Sequence, residues 1–88
     1  MRNRPSDEFI AAVETGYRRA KQQHGTVTPS EIWDEVVGIC LSRPGGFRAM
    51  FAWDRRTGRQ NRVGTIAECI EGGYVPGLRM AGRNVEEA

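Results

Sequence analysis

Few side chains in this sequence are of the types that carry out catalysis. The 88 residues include one histidine, His24, and two cysteines, Cys40 and Cys69. A thiol nucleophile needs a base within hydrogen-bond reach, but His24 lies where one predicted helix ends and Cys40 lies on the apolar face of the next. Histidine, cysteine and carboxylate residues do not recur at metal-ligand spacing either. We therefore expect no enzyme activity, no metal and no cofactor.

The arginines have the clearest potential for binding. Between positions 43 and 62 six arginines stand against one acid, Asp54, so this segment carries +5 and leaves −3 for the rest of a chain whose net charge is +2. Polar side chains that can bond phosphates or base edges lie among these arginines. Thr65 is expected at a helix N-terminus, where backbone N–H groups attract anions. The candidate residues for binding a partner or a phosphate are Arg48, Arg55, Arg56, Arg59, Gln60, Asn61, Arg62 and Thr65.

Tryptophan and acidic side chains indicate a second candidate surface. A tryptophan that so small a domain does not bury fully marks an interface, because Trp and Arg are the usual anchors of protein–protein contacts. The acidic residues fall at the start of a predicted helix, where they complement its dipole and can dock a basic partner or the arginines of a second copy. The candidate interface residues are Trp33, Trp53, Glu31, Asp34 and Glu35.

Two helices are predicted in the first half of the chain. Residues 7–23 have apolar side chains at helical spacing, and Gly25 follows their end. The second helix is predicted over residues 29–42, and its start has the pattern of a capping box. Thr28 caps the helix, Pro29 takes the first helical position and Glu31 reaches back. The wide apolar face of this second helix predicts that it is central to the core.

The second half of the chain has weaker patterns. Residues 47–56 fit a helix or a strand, because apolar side chains recur at both spacings. Thr65 and Glu68 have the spacing of another capping box, and Gly72-Gly73 ends the helix that it opens. A fainter pattern is a helix-turn-helix whose second helix covers residues 78–84. We expect residues 1–5 and 81–88 to be flexible.

These elements predict one small domain over residues 1–88, mainly α, with three or four helices. The alternative is an α+β fold with a short basic hairpin at about residues 47–66. Acidic residues at positions 7 and 8 stand where a signal peptide would be apolar, and no apolar run approaches the roughly 20 residues of a membrane helix. We therefore expect a cytoplasmic protein without a membrane partner, and two buried thiols at Cys40 and Cys69.

Two functions from different classes fit these residues. The first is a non-enzymatic protein-interaction module, such as a regulator, inhibitor or adaptor of the kind that mobile elements carry, with the capacity to form a homodimer. The second is a nucleic-acid-binding protein that uses residues 55–62 and the helix N-terminus at Thr65. The small net charge favours a protein partner, since dedicated nucleic-acid binders are usually more basic.

Overall fold

A computed structural model describes Pro5 and residues 7–42 and 63–88. These residues form, in chain order, helices α1 (Asp7–His24), α2 (Pro29–Ser42) and α3 (Val63–Glu71), then strands β1 (Leu78–Ala81) and β2 (Asn84–Glu87). The ranges predicted for α1 and α2 agree with the structure to within one residue. Within the described ranges, no helix combines the length and the apolar character that crossing a membrane requires.

Helix α2 contacts both of the other helices. It packs against α1 on one side and against α3 on another, and α3 in turn contacts β1. Its buried side chains are Ile32, Val36 and Ile39, which recur at the spacing of one helical face. The core that they join also includes Phe9, Val13, Tyr17, Ala20, Val27, Ile66, Cys69, Ile70, Val75, Leu78 and Val85. Cys69 is thus a buried thiol outside any disulfide, as predicted.

Gly16 of α1 lies directly against α2. A Cβ atom at this position would lie 3.3 Å from the Ile32 carbonyl oxygen and 3.3 Å from Val36 Cγ2. Both distances are shorter than the roughly 3.5–4.0 Å of an ordinary carbon contact. A side chain at position 16 therefore requires α2 to give by a few tenths of an ångström, and a large one does not fit without a greater shift.

Helix α3 begins earlier than the sequence predicts. It begins at Val63 rather than after a cap at Thr65, so Thr65 lies inside the helix and is only 5% exposed. The interpretation of Thr65 and Glu68 as a capping box is therefore wrong.

The end of α3 is as predicted. Gly73 has a positive φ of 77°, a conformation that glycine adopts without the steric cost that a Cβ brings. The N–H of Tyr74 donates to the Cys69 carbonyl and the N–H of Gly73 donates to the Ile70 carbonyl, both at 3.1 Å. These two bonds make a Schellman motif, which satisfies carbonyls at the helix end.

An antiparallel hairpin occupies the region where the helix-turn-helix pattern predicted a second helix. Strand β1 pairs with β2 so that Arg79 faces Glu86 and Met80 faces Val85. The loop has two residues and begins with Gly82, whose φ of 65° fits the first central position of a type II′ turn. The helix predicted over residues 78–84 is therefore wrong.

Strand β2 and the residue after it make backbone hydrogen bonds to two other parts of the chain. The N–H of Val85 donates to the Val27 carbonyl at 2.8 Å, and the N–H of Ala88 donates to the Gly77 carbonyl at 2.8 Å. The side chain of Val85 is 3% exposed. Residues 81–88 are therefore not the flexible tail that was predicted, because they include a paired strand.

The architecture is mainly helical with a small sheet, and it fits the α+β alternative as well as the mainly α prediction. The hairpin predicted at about 47–66 lies mostly outside the described residues, and its described part, 63–66, is helical. Of residues 1–5, for which flexibility was predicted, only Pro5 is described, and it is buried.

Candidate interaction surface on helix α2

The start of α2 has part of the predicted capping box, in which Thr28 caps the helix and the bond that Glu31 makes back to it is with the Thr28 hydroxyl. The Thr28 hydroxyl accepts a hydrogen bond from the N–H of Glu31 at 3.5 Å and donates one to Glu31 Oε1 at 3.2 Å. The second carboxylate oxygen, Oε2, is buried and has no hydrogen-bond partner among the described residues. The bond to Thr28 shows that the Glu31 side chain is turned toward the helix start, where its negative charge interacts favourably with the positive end of the helix dipole.

A row of apolar side chains runs along α2 from Trp33, which packs against the core, to Leu41 on the exposed side of the helix. Trp33, Val37 and Leu41 are four residues apart, a spacing that places them one above the other on a helix. Trp33 and Val37 are half-buried, whereas Leu41 is 67% exposed. The row is thus open to solvent at its C-terminal end, while the core side of the helix is closed.

Negative charge lies beside this row. Asp34 is exposed, and it shares a face with Leu41, which is seven residues further on. Glu35 is half-buried and turned toward α1, since its Cβ is 3.4 Å from the position that a Cβ would take at Gly16. Helix α2 contains no lysine or arginine. Among the described residues no cation forms an ion pair with Asp34 or Glu35.

Gly38 completes the surface. It lies four residues after Asp34 and three before Leu41, on the exposed side of the helix. Glycine in a helix interior costs about 1 kcal/mol relative to alanine. No heavy atom in the described part of the chain lies within 4 Å of the Cβ that an alanine would add here, and the φ of Gly38 is not positive. Packing within the described residues therefore does not require this glycine.

We call this set, consisting of Trp33, Asp34, Val37, Gly38 and Leu41, the α2 surface. It contains two of the predicted interface residues, Trp33 and Asp34, whereas Glu31 and Glu35 are half-buried beside it. Thr65 is far less accessible than predicted, because it is buried inside α3. The other predicted binding residues lie outside the described part of the chain: Arg48, Arg55, Arg56, Arg59, Gln60, Asn61, Arg62 and Trp53.

A concave region lies between the end of α1 and β2. It has a volume of about 350 Å³ and is lined by Tyr17, Lys21, Thr26, Asn84 and Glu87 among others. Lys21 Nζ lies 3.6 Å from Glu87 Oε1 and 5.6 Å from the centroid of the Tyr17 ring. Hydrogen bonding to Tyr17 and the charge of Glu87 raise the pKa of Lys21. These contacts link β2 to α1.

Comparisons of this chain with family models, with curated proteins and with solved structures find no match. The described residues contain no cluster of three or more His, Cys, Asp or Glu side chains that could hold a metal ion.

Sequence reasoning missed three members of this surface: Val37, Gly38 and Leu41. Val37 and Leu41 were assigned to one wide core-facing stripe of α2. A usable signal was present, because apolar residues at 32, 33, 36, 37, 39 and 41 cover more of the helix circumference than a single packing face needs. A glycine in the middle of that helix was the second signal.

Proposed function

We propose that this protein is a small non-enzymatic interaction module, acting in the cytoplasm as a regulator, inhibitor or adaptor, that binds another protein through the α2 surface. The observation that carries this proposal is the 67% exposure of Leu41 in line with half-buried Trp33 and Val37. Removing apolar area from water is favourable by about 25 cal/mol per Å². A partner that covers this row gains that free energy, and Trp33 offers the kind of anchor that dominates interfaces.

The charge of the α2 surface supports a protein partner over a nucleic acid at this site. Asp34 is exposed beside the apolar row, and α2 has no cation. Nucleic-acid binding depends on lysine and arginine that neutralise phosphates. An acidic and apolar surface repels phosphates, whereas it complements a protein surface with apolar and basic side chains.

Site-specific photocrosslinking tests this function. A benzoylphenylalanine is placed at position 34 of the α2 surface, and in a matched protein at position 19, an exposed arginine of α1. In cells of the source organism, we expect a discrete crosslink to one protein from position 34 and none from position 19. Leu41→Glu should abolish the crosslink, because it places a charge in the apolar row.

Other outcomes contradict the proposal in different ways. Equal crosslinking from positions 34 and 19 would mean nonspecific contact. A crosslink to a second copy of this chain would make the protein a homodimer, and the proposal of a separate partner would fall. No crosslink at position 34 would remove the α2 surface as a binding site.

The nucleic-acid alternative remains a prediction, based on the charge of residues 43–62. If it holds, fluorescence anisotropy should detect micromolar binding to mixed-sequence DNA or RNA that weakens linearly with log salt. Replacement of Arg55, Arg56, Arg59 and Arg62 by alanine should abolish that binding and its salt dependence. Absence of binding at low salt would contradict this alternative.

A further inference from the structure

We draw no further inference here: the strongest candidate, the concave region between the end of α1 and the outer edge of strand β2, is lined by Lys21 and Glu87, which already pair with each other, and nothing in the described residues shows which ligand or chain segment would fill it.

Discussion

Replacing Val85 with aspartate is expected to lower the free energy of unfolding by about 3 kcal/mol or more. The Val85 side chain is 3% exposed, and its N–H bonds to the Val27 carbonyl at 2.8 Å. An aspartate at this position would bury a carboxylate among the apolar side chains of the core. Either the charge is buried without a cation, or the strand leaves its place beside Val27, and both cost stability. Urea denaturation followed by circular dichroism measures the change.

The neighbouring residue provides the control for this prediction. Glu86 is exposed, and its ion pair with Arg79, at 2.8 Å, lies at the surface of the hairpin. Surface ion pairs contribute about 0–1 kcal/mol, so Glu86→Asp should change the unfolding free energy by less than about 0.5 kcal/mol. If Val85→Asp has as small an effect as Glu86→Asp, the last residues are the flexible tail that the sequence indicated, and the strand does not contribute to stability.

Replacing Gly16 with leucine is expected to lower the free energy of unfolding by about 2–3 kcal/mol. A Cβ at this position already lies 3.3 Å from the Ile32 carbonyl oxygen, a backbone atom that cannot rotate away. The rest of a leucine side chain would force α1 and α2 apart and expose core side chains such as Val36. The measurement is again a urea denaturation curve, from which the midpoint and its slope give the free energy.

The same substitution at Gly38 isolates the packing effect. Both glycines are inside helices, so Gly→Leu brings the same gain in helix preference, close to 1 kcal/mol, at each. At Gly38 the described structure leaves open space for the new side chain, and the isolated chain should become more stable. If Gly16→Leu and Gly38→Leu change stability equally, the close approach of α1 and α2 at Gly16 is not a determinant of the fold.

The first two helices could be predicted because their signals are local. The Thr28-Pro29-Ser30-Glu31 run fixes the start of α2 through contacts between residues three apart, and the structure has those contacts. The glycine after α1 and the glycines after α3 end those helices through their own backbone conformation. Such signals need no knowledge of what packs on the helix.

The hairpin could not be predicted as readily because its stability comes from distant residues. Strand β2 has one buried apolar residue, Val85, among polar neighbours, so its sequence resembles a solvated tail. What holds it is the backbone bond to Val27, a residue from the loop between α1 and α2. The Gly82-Arg83 pair, which suits a two-residue turn, was the only local sign of a hairpin. That turn could be recognised only once Met80 was seen to pair with Val85.

The candidate site was predicted in part for a related reason. Residue type singled out Trp33, because tryptophan is a usual interface anchor, and Asp34, because an acid near a helix start can dock a basic partner. Gly38 and Leu41 could not be assigned to an outer surface from a helical pattern, because which part of a wide apolar arc is covered depends on where α1 and α3 pack. That placement is tertiary, and it leaves Leu41 67% exposed.

The bridge between Val27 and Val85 also bears on the order in which the parts of the protein fold. Helices α1 and α2 and the loop that carries Val27 emerge from the ribosome before β2 exists, and local helical contacts form fastest. The contact that secures the loop joins two residues that are far apart in the chain, Val27 and Val85, so we expect it to form after the local helical contacts. A chain that ends before Val85 lacks this bridge, so we expect it to expose the apolar groups around Val27 and to be cleaved by proteases faster than the full chain.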